Sequence, residues 1–159
     1  GLRFFTVYGP WGRPDMAPMI FTKLILANKP ISIFNYGKMQ RDFTFIDDII
    51  EGVLRCGYKP ATIENNFNSL KPFPGTSFAP HRIFNIGNNQ PIKLLDFIEL
   101  LEKELGITSI KNFKQIEPGD VIATYADTSK LQDWIGFSPS VSIETGIQKF
   151  IKWYKEYHT

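Results

Sequence analysis

Apolar positions fall into runs with two different periods, and the breaks between them mark the elements. Residues 2–8 (Leu-Arg-Phe-Phe-Thr-Val-Tyr) are aromatic and branched and end at Gly9-Pro10, which predicts one buried strand followed by a breaker. Ile20, Phe21, Leu24 and Ile25 then recur at helical spacing, predicting a helix over residues 19–27 that stops at Asn28-Lys29-Pro30. Residues 31–34 alternate as a short strand, residues 35–38 turn the chain, and residues 40–45 form a second strand placed to return as a hairpin. Asp47-Asp48 opens a helix to about Cys56, with Ile46, Ile49, Ile50, Val53 and Leu54 on its apolar face. Acidic residues there suit the positive end of the helix dipole.

The stretch 60–80 has no such period. It holds four prolines among Asn, Ser and scattered aromatics, and reads as a surface loop, a lid or a family-specific insertion. Residues 82–87 (Arg-Ile-Phe-Asn-Ile-Gly) are a second buried-strand pattern. The strongest helix follows at 94–105, with Gly106 as its stop. Asp127-Thr128 are placed to cap a helix over 130–135, and a last helix runs from Ser142 to about Tyr157. Strands alternating with helices make this an α/β chain.

Composition narrows the picture only a little. The 159 residues suit one domain, and a net charge of +2 gives no electrostatic case for nucleic acid or an anionic membrane. No apolar run is long enough for a transmembrane helix. The single cysteine, Cys56, excludes an intramolecular disulfide and suggests a buried thiol in a reduced, cytoplasmic protein. The chain starts directly on a strand without an initiator Met, the pattern of a fragment.

Absences bound the chemistry. There is no glycine-rich dinucleotide fingerprint, no Tyr followed four residues later by Lys, and no cluster of metal-ligand residues, so neither catalytic residues nor a metal site are expected here. His81 and His158 are expected at the surface. Positive candidates follow strand ends, where open α/β sheets bind ligands. Thr6 and Arg13 are spaced to converge on one carboxylate, or else to pack in the sheet and be solvated. Arg41 could bind a phosphate or pair with its neighbour Asp42 at the surface. Phe34 could stack on a base or join the core, and Asp120 could accept a ribose hydroxyl or only form a turn. Helix capping accounts for Asp47-Asp48.

In order, these segments form a recognisable series. Thr6-Val7-Tyr8-Gly9-Pro10-Trp11-Gly12-Arg13-Pro14-Asp15-Met16, then Arg41-Asp42-Phe43-Thr44-Phe45-Ile46-Asp47-Asp48, then Phe84-Asn85-Ile86-Gly87-Asn88, then Pro118-Gly119-Asp120 with Asp127-Thr128-Ser129 resemble the blocks of UDP-glucuronate 4-epimerases. These belong to the extended short-chain dehydrogenase/reductases, and the resemblance spans nearly the whole chain. It implies that residues 1–159 form a C-terminal substrate-binding region together with the last strands of a Rossmann sheet.

The resemblance further implies inversion at C4 of UDP-glucuronate in a cytoplasmic enzyme, a homodimer when intact. NAD would be bound mainly by an N-terminal domain of roughly 170 residues that also carries the Tyr/Lys pair. On this chain Thr6 and Arg13 would hold the sugar carboxylate, and Phe4 and Phe5 would line the cofactor side. Asp15 and Met16 would flank the nucleotide, Ser32 and Phe34 would grip uracil, Arg41 would meet the diphosphate and Asp120 the ribose. One departure is Glu117, where related galactose epimerases carry an Arg for the diphosphate; Arg82 is a candidate to replace it. Other readings are a decarboxylase or 4,6-dehydratase of the same class, or a non-catalytic nucleotide-sugar-binding fragment.

Overall fold

The computed structural model describes residues 1–158. The chain runs β1 (Leu2–Phe4), β2 (Thr6–Tyr8), α1 (Ala17–Leu26), β3 (Ile31–Ile33), β4 (Gln40–Phe45), α2 (Ile46–Tyr58), β5 (Phe84–Ile86), β6 (Pro91–Lys93), α3 (Leu94–Leu105), β7 (Lys111–Phe113), α4 (Ser129–Ile135) and α5 (Ile143–His158). The fold is mixed α/β. Its strands form three small groups: β1–β5 parallel, β2–β4–β6 with a parallel and an antiparallel neighbour, and β3–β7 parallel.

The single strand expected over 2–8 is two strands. Phe5 ends β1 with its N–H on the carbonyl of Ile86, and the chain then changes partner to β4. Nor is β1 buried: Arg3 and Phe4 are exposed. The expected hairpin between residues 31–34 and 40–45 is also absent. Asn35 and Tyr36 both adopt positive φ in a 3-10 turn, which redirects the chain. β3 then pairs with β7, and β4 inserts between β2 and β6, so both edges of β4 are used.

Helices follow the pattern more closely. α3 ends at Gly106 in the left-handed conformation, and α5 begins where Ser142 Oγ accepts the N–H of Thr145. Asp127 caps α4 by accepting both the N–H and the hydroxyl of Ser129. On α2 the acidic pair does not cap. Asp48 accepts the N–H groups of Ser140 and Val141, and Asp47 pairs with Lys149, so both carboxylates tie α2 to α5 and the turn before it. Of the expected apolar face of α2, Ile49 is buried, while Ile50, Val53 and Leu54 are largely exposed; Cys56 is half-buried.

Two cores result. The larger is ring-rich, with Phe43 stacked on Phe97 at 4.3 Å and Tyr8 edge-on to both. The smaller joins α2 and α4 to β5 through Ile49, Phe84, Ile86 and Leu131. The Tyr8 hydroxyl passes over α5 and donates to the carbonyl of Ile143 at 3.3 Å. It can do so because residue 146 is glycine: a Cβ there would lie 1.9 Å from the phenol oxygen.

Residues 59–83 contain no helix or strand, only a bridge between Thr76 and Arg82. No helix among the described residues is long and apolar enough to cross a membrane.

Gly146→Ala should destabilise the chain by about 1–3 kcal/mol through overpacking against Tyr8. Gly57→Ala, on α2 with nothing within 4 Å, should be neutral or stabilise by up to about 1 kcal/mol. Urea unfolding midpoints measured at equal slope test the contrast, and equal shifts would contradict the packing described.

Candidate functional site

The turn after β2 is built from chemistry that forces its path. Gly9 sits at φ 140°, and a Cβ there would meet Ile46 Cγ2 at 2.5 Å, so only glycine lets the chain pass the start of α2. Trp11 is left-handed at φ 61°, unusual for so large a residue. Its ring is held against α5, 4.6 Å from Tyr157 and 5.5 Å from Trp153. The turn closes with the N–H of Met16 on the carbonyl of Arg13.

Beside this turn lie two cavities that share Met16. The first, about 300 Å³, is walled by Phe4, Phe5, Val7, Tyr8 and Ile46 and includes Arg13. The second, about 250 Å³, takes Thr6, Asp15, Ser32, Phe34, Arg41 and Asp120 over a floor of Phe21, Met39 and Phe43. Thr6, Arg13, Asp15, Met16, Ser32, Phe34, Arg41, Asp120, Phe4 and Phe5 therefore each line one of two neighbouring cavities. Thr6 and Arg13, expected on one carboxylate, fall into different linings.

The charges are already engaged. Arg13 grips Asp15 with two hydrogen bonds, Nε to Oδ1 at 3.1 Å and a second nitrogen to Oδ2 at 2.5 Å. That hydrogen bond holds the Asp15 carboxyl below the ordinary carboxylate range. Arg41 does not pair with Asp42. It donates to the carbonyls of Gln40 and Ile122 and lies 3.7 Å from Asp120. Phe34 is half-buried, with the Lys114 ammonium 5.5 Å from its ring centre. Burial, with Glu144 and Asp48 nearby, pushes the Tyr8 phenol far above its usual range, so it stays protonated and is no base.

Arg82 is not available to a ligand in these cavities. It pairs with Glu64 at 2.7 Å and lies over Trp134. Glu117 is exposed, lines neither cavity and contributes its carbonyl to the turn ending at Asp120. A larger cavity of about 500 Å³ lies between residues 64–76, the start of β5 and α4. It sits at the amino end of β5, whereas ligands of open α/β sheets sit at carboxyl ends, and its arginine is committed to Glu64.

Comparison with known proteins gives the family. Residues 1–92 match the NAD dependent epimerase/dehydratase family. The chain belongs to that family. It is 48% identical over 158 residues to the Staphylococcus aureus protein CapI, covering 99% of this chain and 47% of that protein. It is 44% identical over 155 residues to a probable UDP-glucuronate 4-epimerase of Rhizobium meliloti, covering 97% and 46%. The UDP-glucuronic acid 4-epimerase of Bacillus cereus, solved with UDP-glucuronic acid and NAD, superposes with a TM-score of 0.79 at 37% identity, covering 98% of this chain and 44% of that one. The chain thus spans about half the length, or less, of these members of the epimerase/dehydratase family.

Family membership raises NAD as a cofactor. The apolar walls of the first cavity, at the carboxyl end of β1, suit one face of a flat ring. Its one cation, Arg13, is engaged by Asp15, so these residues fit contact with one end of such a cofactor and not its whole length.

Two residues shape the site in ways the sequence does not signal. Trp11 anchors the turn, and its only sequence signal is a bulky ring between Pro10 and Gly12. Asp42 is fully buried; its carboxylate accepts the N–H groups of Asn88, Asn89 and Ala126 at 3.0, 3.0 and 2.8 Å. Asp42→Ala should cost at least ~3 kcal/mol, since three amides lose their acceptor. Asp47→Ala, breaking a solvated ion pair, should cost under about 1 kcal/mol. Chemical denaturation of the two variants checks this, and equal costs would refute it.

Proposed function

We propose that this chain carries the nucleotide-sugar site of an enzyme that interconverts UDP-glucuronate and UDP-galacturonate by inversion at C4. The observation that supports it is the gathering of Thr6, Asp15, Met16, Ser32, Phe34, Arg41 and Asp120 around one cavity, with Arg13, Phe4 and Phe5 around its neighbour. Similarity to UDP-glucuronate 4-epimerases from several organisms adds to it. In this reading Ser32 and Phe34 hold uracil, Asp120 accepts a ribose hydroxyl and Arg41 meets the diphosphate. Thr6 and Arg13 hold the sugar carboxylate, with Asp15 and Met16 against the nucleotide. Phe4 and Phe5 face the cofactor.

NAD, when bound, supplies the hydride acceptor and donor. The residues of this chain have a different task. The 4-keto sugar must turn over between oxidation and reduction, so the grip belongs at the nucleotide end. Binding energy from the remote UDP can hold the molecule while the ring moves. Arg13 must keep the carboxylate, because a free β-keto acid can lose carbon dioxide. The cofactor itself is assigned mainly to an N-terminal domain that this chain does not include, and the intact enzyme to a homodimer.

A second reading, a nucleotide-sugar binder without catalysis, rests on the sequence itself, which lacks a glycine fingerprint and a Tyr-x-x-x-Lys pair. The two readings share a test. The 159-residue chain should bind UDP-glucuronate yet give no UDP-galacturonate when supplied with NAD; turnover would overturn the assignment of the chemistry to residues outside it.

Arg13→Ala should weaken UDP-glucuronate on the order of tenfold and UDP-glucose far less, whereas Arg41→Ala should weaken both alike. Equal losses on the two sugars for Arg13→Ala, read by calorimetry, would remove the uronate assignment.

A further inference from the structure

Both arginines of the site carry an aspartate partner drawn from the same site. Arg41 has Asp120 at 3.7 Å, and Arg13 has Asp15 in a two-bonded fork. The four charges cancel, so the cavities offer an anionic ligand no unengaged guanidinium. An anion that takes the two-bonded Nε/Nη2 edge of Arg13 does so by exchange with the Asp15 carboxylate.

The Arg13–Asp15 pair has the geometry for such exchange. Two parallel N–H···O bonds to one carboxylate are the same contact that Arg makes with a free carboxylate ligand. The two residues flank Pro14, whose ring fixes one backbone angle, and the turn is closed by the Met16 N–H on the Arg13 carbonyl. Arg13 lines the first cavity and Asp15 the second, with Met16 shared, so the pair joins the two linings. Its side chains are 73% and 63% exposed, and a pair so solvated parts at little cost.

We propose that Asp15 is a resident counter-ion for Arg13 that competes with the sugar carboxylate for the same guanidinium edge, and so sets how strongly the site favours an acidic sugar over a neutral one. This rests on the uronate reading above. An acidic sugar replaces one two-bonded carboxylate by another, a nearly balanced exchange. A neutral sugar brings no replacement and leaves the pair closed. The competition keeps the grip on the carboxylate weak enough to reverse, which suits a ring that must turn over while still attached to Arg13. The expected cost of this device is blunted discrimination.

The test is calorimetric titration of the 159-residue chain with UDP-glucuronate and with UDP-glucose, read as the ratio of the two dissociation constants. Asp15→Asn removes the competitor at constant shape and should shift that ratio about fivefold further toward the acidic sugar. Asp15→Glu restores a carboxylate and should return the ratio toward the parent value. In an Arg13→Ala background, Asp15→Asn should leave the ratio where Arg13→Ala puts it.

A ratio unmoved by Asp15→Asn, or moved toward the neutral sugar, overturns the proposal. So does an effect that persists without Arg13, because Asp15 would then act on the sugar itself and not through Arg13. Equal weakening of both sugars by Arg13→Ala alone, or no binding of either sugar by the parent chain, removes the uronate reading as well. Those outcomes differ from the failure of Asp15 in its own role.

Discussion

The arrangement of the site hangs on one buried carboxylate. Asp42 is wholly removed from solvent, and three backbone N–H groups from two other segments supply its compensation. A buried anion is tolerated only with that degree of hydrogen bonding, so its donors are obligatory. It fixes the turn after β5 and the segment near Ala126 to the middle strand β4. Side chains alternate across a strand, so with Asp42 turned inward Arg41 is turned to the cavity. The segment held at Ala126 also runs beside Gln40, which brings Ile122 and Asp120 to Arg41.

Around that anchor the cavity-lining groups share a logic. Floor and walls are apolar and ring-rich, while the charged groups sit at the turn after β2, on β4 and at Asp120. Neither arginine stands alone, so the charges of the two linings balance. The turn is held by shape: Gly9 passes the start of α2 where no side chain fits, and Trp11 leans on the last helix. The final helix thereby bears on the position of Arg13 without lining either cavity.

Much of this was legible in the sequence. The helices were, because their apolar stripes and their caps, such as Gly106 and Ser142, are local signals. Strand pairing was not, because partners lie far apart along the chain: β3 pairs with residues 111–113 and not with its neighbour. The break at Phe5 escaped for the same reason, since an unbroken apolar run hides a change of partner. The candidate site residues were recognised through their resemblance to a family, and they line adjoining cavities. Their pairing was not visible. Arg41-Asp42 and Asp47-Asp48 look like surface charge or capping pairs, yet Asp42 and Asp48 are buried acceptors of distant amides. Spacing reports which residues are neighbours; burial depends on what the rest of the chain brings.

The central claim is that the two cavities beside the turn after β2 form one nucleotide-sugar site. A crystal structure of the chain with UDP-glucuronate tests it most directly. Density for uracil between Ser32 and Phe34, diphosphate at Arg41 and the carboxylate on Arg13 is the predicted result. The nucleotide in the larger cavity between residues 64–76 and α4, with the two smaller ones empty, would contradict it.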